Sequence, residues 1–290
     1  MEKQKVAYQG VSGAYSDLAC KQVFPDYQAF ACEDFQSAIL MVKQGKAGYA
    51  MIPLENSTAG RVEEIYRLLP KTHLQIVAEH FEPVNHCLLA LPGVKLDEIK
   101  TVSSHPQALA QCFHRLAELD IKAVAAVDTA LSARDLAAKG LAGEKSALTH
   151  GAIASVLASE LYGLKVLAEN FQDVSGNTTR FIVLAKKAST RGYDAQQNYI
   201  TSLIFSVRNT PAALYKALGG FATNGVNLIK LESYMDGGTM EASYFHIDLA
   251  GHPEQPVMVR ALFELDFFAK DVRILGSYPA HSYRRKYDFV

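Results

Sequence analysis

The sequence lacks the patterns that mark metal, disulfide and nucleotide sites. Its four cysteines are scattered without a CxxC pair, so we expect buried thiols, with neither a zinc site nor a disulfide framework. The nine histidines show neither HxH nor HExxH spacing, which disfavours a bound metal. Gly10 and Gly13 do not have GxGxxG spacing, and a GxxxxGK[ST] motif is absent. We therefore expect no nucleotide cofactor.

Charge of one sign and long apolar runs are also missing. Lys and Arg total 29 against 30 for Asp and Glu, a formal net charge of -1, so no global nucleic-acid-binding surface is indicated. No apolar run approaches the roughly 18 residues that span a bilayer, and the start MEKQKVAYQG has no signal-peptide core. We expect a cytoplasmic protein without nucleic-acid or membrane partners, in which local groups bind any charged ligand.

The length of 290 residues predicts two domains, and 49% hydrophobic residues suffice for two cores. Residues 1–185 alternate short apolar strands with helical stretches, which predicts an α/β domain with largely parallel strands. Residues 186–198 are polar and are predicted to be a linker. Residues 199–279 follow the order βαββαβ, which predicts a ferredoxin-like antiparallel sheet with two helices on one face. Residues 280–290 form a basic tail that we expect to be solvated.

Element predictions follow from the spacing of apolar residues. Strands of the first domain are predicted at Lys5–Gln9, Ala47–Pro53, Ile99–Ser103, Ala123–Val127 and Ser146–Thr149. Its helices are predicted at Asp34–Gln44, Val62–Leu69, Pro106–Leu119, Thr129–Lys139 and Ala152–Leu161. In the second domain the predicted strands are Tyr199–Val207, Asn227–Met235, Met240–Leu249 and Val272–Ser277, and the predicted helices are Pro211–Ala222 and Gln255–Phe268.

Small, hydroxyl-bearing or glycine-containing turns occupy the predicted strand-to-helix junctions of the first domain. They are Gly10–Ser16, Glu55–Thr58, Ser103–Pro106, Asp128–Thr129 and Thr149–Gly151. In a parallel sheet such turns lie at the carboxyl ends of the strands, where helix starts present N–H groups and a partial positive charge. Each turn alone could be an ordinary helix cap. Together they predict a site for a small anionic ligand.

The segment Asp173–Phe181 carries a different set of polar groups just before an apolar strand. Arg180 could hold a carboxylate with two hydrogen bonds, and Thr179 could donate to a leaving oxygen. The alternative is a structural turn, in which Asn177 bonds its own backbone and Arg180 pairs with a nearby acid such as Asp173. Spacing alone leaves both alternatives open.

Taken in order, these motifs resemble those of the prephenate dehydratases. The matching segments are Gly10–Ser16, Ile52–Ser57, Ser104–Cys112, Ala126–Ala130, Ala152–Ser155 and Asn177–Phe181. The resemblance covers the first domain and continues through the second, which resembles an ACT regulatory domain. It implies a catalytic domain of two α/β lobes, similar to type II periplasmic binding proteins, with the active site in the cleft between the lobes.

The resemblance also implies a reaction. Prephenate loses carbon dioxide and water to give phenylpyruvate, the penultimate step to phenylalanine, and the aromatisation of its ring needs neither a metal nor a redox cofactor. Arogenate dehydratase is a close variant of this activity. A non-catalytic small-molecule sensor is an alternative of another class, since a sensor needs a carboxylate clamp but no hydroxyl at a leaving group.

The resemblance assigns roles to individual residues. Thr179 matches the family's essential threonine and becomes the donor to the departing hydroxyl, and Arg180 becomes the carboxylate clamp. Glu55 and His105 are candidates for an acid that relays a proton, although each could instead cap a helix. The predicted catalytic residues are Thr179, Arg180, Glu55, Asn56 and Ser57. The predicted substrate-binding residues are Ser12, Tyr15, His105, Gln107, Thr129 and Asn177.

In the second domain the family's two phenylalanine-binding motifs align with Ala212–Tyr215 and Glu232–Met235. Ala212 replaces a glycine, which adds a Cβ where backbone would approach the ligand, and Tyr234 replaces an arginine. The alternative is a domain that serves only dimerisation. The resemblance implies a homodimer or homotetramer with L-phenylalanine as effector. The predicted effector-binding residues are Asn209, Ala212, Ala213, Leu214, Glu232 and Ser233.

Overall fold

The first strand of the protein, β1 (Lys5–Gln9), lies where the sequence predicts it. The structure is a computed structural model that describes residues 4–188, 192–208, 210–235 and 244–287. The chain forms two units, each assembled from several segments. Unit 1 consists of Met1–Met41, Met51–Arg61 and Glu82–Phe181. Unit 2 consists of Val42–Ala50, Val62–Phe81 and Ile182–Val290.

Strands and helices alternate through most of the described chain. After β1 the strands are β2 (Gln28–Cys32), β3 (Tyr49–Asn56), β4 (Gly60–Arg61), β5 (Gln75–Pro83), β6 (Cys87–Ala90), β7 (Thr101–Ser104), β8 (Lys122–Ala125), β9 (His150–Ala154), β10 (Lys165–Ala168), β11 (Thr178–Ala185), β12 (Tyr199–Val207), β13 (Leu228–Tyr234), β14 (Tyr244–Ala250) and β15 (Ala269–Pro279). The α-helices are α1 (Tyr15–Val23), α2 (Phe35–Lys43), α3 (Glu63–Thr72), α4 (Pro106–Ala110), α5 (Phe113–Glu118), α6 (Thr129–Leu141), α7 (Val156–Tyr162), α8 (Ala213–Thr223) and α9 (Pro256–Phe268).

The first sheet has the strand order β2-β1-β3-β11-β5. β1 and β2 are parallel, with Lys5 opposite Gln28. The short strand β4 turns back on the end of β3, so that Asn56 lies opposite Gly60. Gly60 has a φ of 79°, a left-handed conformation that glycine adopts without strain. This tight turn fixes the chain that follows β3, and β11 is the next strand of the sheet.

The second sheet has the order β10-β6-β9-β7-β8 and mixes both strand directions. β7 runs parallel to β8 and β9, whereas β6 runs antiparallel to β9 and β10. Alternate residues of β6 face opposite sides, as expected for a strand. Leu88 belongs to the core cluster that includes Leu109 and Leu116, and Leu89 belongs to the cluster that includes Leu136 of α6. Helices therefore cover both faces, and the two sheets give the two predicted α/β lobes.

The sequence predictions fail around β9. The predicted strand Ser146–Thr149 is wrong, because a 3-10 helix covers Lys145–Thr149 and the strand begins at His150. The predicted helix Ala152–Leu161 begins only at α7, where the Ser155 hydroxyl accepts a hydrogen bond from the backbone N–H of Ala158. Thr149–Gly151 therefore lies at the amino end of β9. It does not belong to the ligand-binding edge predicted for it.

The predicted helix Pro106–Leu119 is interrupted. It forms the two short helices α4 and α5, with Gln111 and Cys112 between them. The carbonyl of Gln111 accepts a hydrogen bond from the backbone N–H of Asp173 (2.7 Å). The Asp173 carboxylate in turn accepts from the backbone N–H groups of His114 and Arg115 at the start of α5. A distant segment thus satisfies the backbone groups at the break.

Unit 2 contains the predicted βαββαβ module. Its strands have the order β13-β14-β12-β15, and all neighbours are antiparallel, which confirms the ferredoxin-like topology. Both helices pack on one face of the sheet. The buried contacts there include Leu203 and Phe205 of β12, Phe221 of α8, and Met258 and Leu265 of α9.

The other face of this sheet is polar and buried. Ser202 donates a hydrogen bond to Asp248 (2.5 Å) and also bonds the hydroxyl of Tyr278 (2.8 Å). The ring of Tyr66 in α3 lies 5.4 Å from that of His246. Residues 62–81 of unit 2 therefore contribute to the covering of this face.

The C-terminal segment is not solvated as predicted. Residues Ser282–Tyr287 form a 3-10 helix, and the buried Arg284 side chain makes two hydrogen bonds to Glu79 of β5, from Nε to Oε1 (2.7 Å) and from Nη2 to Oε2 (2.8 Å). The Tyr283 ring stacks on Phe81 at 4.5 Å. Arg284, which the sequence predicted to lie in a solvated tail, is therefore part of the interior of unit 2.

Candidate functional site

A candidate site lies where the end of β3 meets the start of β11. The backbone N–H of Ser57 donates to the carbonyl of Thr178 (2.9 Å), and the N–H of Thr178 donates back to the Ser57 hydroxyl (3.0 Å). These two bonds join the turn after β3 to the first residues of β11. Asn56 and Thr179 are thereby brought side by side, although they are 123 positions apart in the sequence.

The amide of Asn56 has a fixed orientation. Its Oδ1 accepts hydrogen bonds from the backbone N–H groups of Thr58 (3.0 Å) and Ala59 (2.9 Å), and from the Thr58 hydroxyl (2.8 Å). Its Nδ2 must then face the other way, where it donates to Asn177 Oδ1 (2.7 Å) and Thr179 Oγ1 (2.9 Å). The Thr179 hydroxyl accepts in this bond, so its own proton can be donated to another group.

Gln111, between α4 and α5, extends these contacts. Its Nε2 donates to Thr58 Oγ1 (2.9 Å), and its Oε1 accepts from Asn177 Nδ2 (3.0 Å). We call the side chains of Asn56, Thr58, Gln111, Asn177 and Thr179 the amide network. It joins residues of the first sheet to a residue beside the second sheet, and all five belong to unit 1.

His86 lies behind the amide network and was not among the predicted site residues. Its Nε2 is 2.9 Å from Gln111 Oε1, and its Nδ1 is 3.2 Å from the hydroxyl of Tyr15. The Tyr15 hydroxyl donates to the carbonyl of Asn85 (2.8 Å). Burial lowers the pKa of His86 and raises that of Tyr15 well above its ordinary value. Both side chains are therefore neutral at pH 7.

Thr58 and Gln111 were also outside the predicted set. Gln111 lies in the matching segment Ser104–Cys112, so a signal for it was present in the sequence. The only local feature of His86 is its place one residue before the buried strand β6. No pattern in the sequence connects it to Gln111.

Arg180 and Glu55 form an ion pair on the neighbouring strands β11 and β3. Arg180 Nη1 donates to Glu55 Oε1 (2.8 Å), and the side chains are 3% and 31% exposed, respectively. The partner of Arg180 is thus a residue 125 positions away. Asp173, the acid that the turn alternative proposed for it, instead binds the start of α5.

Several predicted substrate-binding residues belong to other elements. His105 caps α4, because its Nδ1 accepts from the backbone N–H of Gln107 (3.2 Å), and both side chains are exposed. Thr129 is the first residue of α6. Ser12 lies in the turn before α1, where its carbonyl accepts from the Tyr162 hydroxyl (2.6 Å). The hydrogen bonds of the described residues do not join these side chains to the amide network.

The predicted effector residues that are described lie in unit 2. Ala212 precedes α8 and has a φ of 61°, a left-handed conformation that costs a non-glycine residue about 1–2 kcal/mol. Ala213 and Leu214 open the helix. Glu232 and Ser233 lie on β13, opposite His246 and Phe245 of β14. Asn209 lies outside the described residues.

The described ranges contain neither a metal-binding cluster nor a membrane-spanning helix. No set of three or more His, Cys, Asp or Glu side chains there is placed to bind a metal ion. None of the helices in that part of the chain has the length and apolar character needed to cross a membrane.

Comparison with known proteins gives consistent matches. The sequence model described as "PDT: Prephenate dehydratase" matches residues 6–189. A Komagataeibacter europaeus protein named "Bifunctional N-acyl-homoserine lactone acylase/prephenate dehydratase" is 45% identical over 281 residues, covering 97% of this chain and 98% of the relative. "Arogenate dehydratase/prephenate dehydratase 1, chloroplastic" of Arabidopsis thaliana is 40% identical over 291 residues, covering 96% and 72%.

A solved structure is similar over nearly the whole chain. It is the prephenate dehydratase of Arthrobacter aurescens in complex with L-Phe, which is 31% identical. The TM-score is 0.82, and the match covers 96% of this chain and 92% of the other.

Proposed function

The chain belongs to the prephenate dehydratase family, a family of lyases, and we propose that it converts prephenate into phenylpyruvate. The observation that carries this proposal is the hydrogen bond from Asn56 Nδ2 to Thr179 Oγ1 (2.9 Å). Because Thr179 accepts there, its hydroxyl proton is available for a group that leaves the substrate with negative charge.

The reaction needs a donor at the leaving oxygen. The electrons of the bond to the ring carboxylate move into the ring as carbon dioxide leaves, and the electrons of the ring C–O bond leave with the hydroxyl group. The prephenate dianion and one proton thus give the phenylpyruvate monoanion, carbon dioxide and water. A threonine hydroxyl is a poor acid at neutral pH, so Thr179 acts in this proposal by hydrogen bonding as charge develops on the oxygen.

The substrate is a dianion, and Arg180 is the proposed cationic group for it. Arg180 follows Thr179 in β11, and its guanidinium is bonded to Glu55 (2.8 Å). A planar guanidinium has five N–H donors in a fixed fork, so it can bind a carboxylate as well as Glu55. Ser57, Asn177, and the more distant Ser12, Tyr15, His105, Gln107 and Thr129 stay proposed contacts of the substrate.

We base the choice between prephenate and arogenate on the charge of the predicted site residues. Arogenate carries an ammonium group where prephenate has a keto group, so it requires a carboxylate or several carbonyls nearby. Glu55 is the predicted site residue with a carboxylate, and Arg180 already offsets its charge. We therefore propose that prephenate is the preferred substrate. The name of the Arabidopsis relative makes arogenate the second candidate.

One assay with three substrates tests this choice. The purified full chain is incubated with prephenate, arogenate or an N-acyl-homoserine lactone, and phenylpyruvate, phenylalanine and released fatty acid are measured. We expect kcat/KM to be at least tenfold higher for prephenate than for arogenate. Absence of phenylpyruvate above the spontaneous rate, from mildly acidic to mildly basic pH, would exclude the proposed conversion of prephenate. Fatty acid release would extend the acylase activity named for the Komagataeibacter relative to this chain.

We further propose that residues 1–185 are the catalytic domain, 186–198 the linker, 199–279 an ACT regulatory domain and 280–290 the C-terminal segment. The βαββαβ order and the antiparallel sheet of unit 2 support an ACT domain. L-phenylalanine is the proposed effector, since the related Arthrobacter structure contains it. Ala212, Ala213, Leu214, Glu232, Ser233 and Asn209 are the residues proposed to bind it.

The proposed regulation is tested by calorimetry and by size measurement. We expect L-phenylalanine to bind the full chain and to lower its dehydratase activity. We also expect light scattering to show a homodimer or a homotetramer. Glu232→Gln removes a charge from the proposed effector site and should weaken phenylalanine binding without lowering kcat for prephenate. Absence of binding and of any change in activity would leave association of subunits as the supported role of the domain.

A further inference from the structure

We propose that His86 is a positioning residue: it fixes the side-chain amide of Gln111 and thereby holds the amide network in the orientation that Thr179 needs. The proposal rests on the proposed function, because the orientation matters to catalysis only if Thr179 acts on the substrate. His86 itself reaches Thr179 only through other side chains of the network. It therefore acts through them and not on the reacting atoms.

The hydrogen bonds assign the proton of the imidazole. Gln111 Nε2 donates to Thr58 Oγ1, so Gln111 Oε1 is the atom that faces His86. A carbonyl oxygen only accepts, so His86 Nε2 must carry a proton to bond it at 2.9 Å. Because burial lowers the pKa of His86, the ring is neutral and Nδ1 has no proton. Nδ1 lies 3.2 Å from the Tyr15 hydroxyl oxygen, whose one proton is directed at the carbonyl of Asn85 (2.8 Å), so Nδ1 shares that proton at most.

The side-chain amides of Asn56, Asn177 and Gln111 form a row in which each NH2 group donates to the oxygen of the next. Groups at the two ends of the row determine which way round the amides lie. At one end, the backbone N–H groups of Thr58 and Ala59 hold Asn56 Oδ1. At the other end, the N–H of His86 holds Gln111 Oε1. An amide that turned over within the row would place two N–H groups, or two oxygens, against each other. His86 therefore supplies the second fixed end of the row.

The surroundings of His86 restrict its side chain, which suits this role. The side chain is buried, at 2% exposure. Its backbone N–H donates to Gln172 Oε1 (2.9 Å), and its carbonyl accepts from the N–H of Phe171 (2.7 Å). The Tyr15 ring meets the imidazole edge to face at 5.9 Å. These contacts place the Nε2–H donor of His86 before any substrate binds, so the donor is preorganised.

Two substitutions of His86 separate the hydrogen bond from the bulk of the ring. His86→Leu removes the donor, and we expect kcat to fall about tenfold to hundredfold, with KM changed less than about threefold. His86→Gln places an amide N–H near the position of Nε2 and should recover most of the lost kcat. Tyr15→Phe removes the hydroxyl that lies 3.2 Å from Nδ1 and should lower kcat less than His86→Leu does. Nitrogen NMR of the wild-type protein keeps the proposal testable if His86→Leu does not fold.

His150→Leu is the matched control for His86→Leu. His150 is a half-buried histidine of unit 1 whose ring nitrogens bond the hydroxyls of Thr101 (2.6 Å) and Ser103 (3.1 Å). It begins β9 and has no hydrogen bond to the amide network among the described residues. The control variant should keep wild-type kcat. A similar loss of kcat in His150→Leu and His86→Leu would show that the effect is general destabilisation and would overturn the proposal.

A double-mutant cycle shows whether His86 acts through Gln111. We expect His86→Leu to cause little further loss of kcat in a Gln111→Leu background, because the oxygen that it orients is gone. Full additivity of the two losses, or wild-type kcat in His86→Leu, would overturn the proposal.

Nitrogen NMR of the wild-type imidazole gives a readout independent of activity. We expect a neutral ring with its proton on Nε2. A proton on Nδ1 would overturn this inference whatever the enzyme turns over, whereas an inactive wild type with the Nε2 proton would contradict only the proposed function.

Discussion

Replacing Arg284 tests whether the C-terminal segment is a structural part of unit 2. Arg284→Met keeps the length of the side chain but removes both hydrogen bonds to Glu79, which measure 2.7 and 2.8 Å. The two side chains are buried, at 6% exposure for Arg284 and 0% for Glu79. Taking away one partner of a buried pair typically costs about 3–5 kcal/mol, because the remaining charge keeps its desolvation penalty. A pair on a solvated tail would contribute about 0–1 kcal/mol.

The assay is urea unfolding followed by circular dichroism and by tyrosine fluorescence. We expect Arg284→Met to lower the free energy of unfolding by about 3 kcal/mol or more. The double variant Glu79→Gln/Arg284→Met removes both charges and should recover much of that loss. Arg285→Met, at the next position, is the control for loss of a positive charge. A loss below about 1 kcal/mol in Arg284→Met would refute the buried pair.

Three further predictions concern other parts of the chain. Asn56→Asp replaces the amide donor by an acceptor. The new carboxylate should accept the hydrogen bond of the Thr179 hydroxyl, which is then no longer available to the substrate, so kcat with prephenate should fall about a hundredfold or more in a steady-state assay. Ala212→Gly should raise the free energy of unfolding by up to about 1 kcal/mol, since glycine tolerates a φ of 61°; a clear loss of stability in chemical denaturation would contradict this. The four cysteines are free and buried, and burial raises the pKa of Cys112 to about 12, so a thiol reagent at pH 8 should label them only after unfolding, and rapid labelling of the folded protein would contradict their burial.

The spacing of apolar residues along the sequence correctly predicted those strands and helices in which this spacing has a single clear period. β12 runs over Tyr199–Val207 as expected, because its alternate residues face a helix layer on one side. The same reasoning gave wrong predictions around β9. Ala152, Ile153 and Ala154 are all fully buried, and a short apolar run of this kind fits a buried strand and a helix equally well. The break after α4 had no local signal, because contacts with residue 173 produce it.

The candidate site was predictable in part for a similar reason. Thr179 and Asn56 lie in motifs that can be read from the sequence, and the structure joins them by a hydrogen bond. The ion pair of Arg180 with Glu55 could not be predicted from the sequence, because it depends on β3 and β11 being neighbouring strands of the sheet. His86 and Arg284 were missed since their contacts, to Gln111 and Glu79, depend on tertiary packing.

The proposed catalysis depends most on the hydroxyl of Thr179, and removing this group gives the most direct measurement. Thr179→Val keeps the branched shape of the side chain in β11, and Asn56 Nδ2 keeps its bond to Asn177, so the free energy of unfolding should change by only about 1 kcal/mol. We predict that kcat for prephenate falls about a hundredfold to a thousandfold in Thr179→Val and that Thr179→Ser retains most of the activity. A folded Thr179→Val variant that forms phenylpyruvate at the wild-type rate would contradict the account.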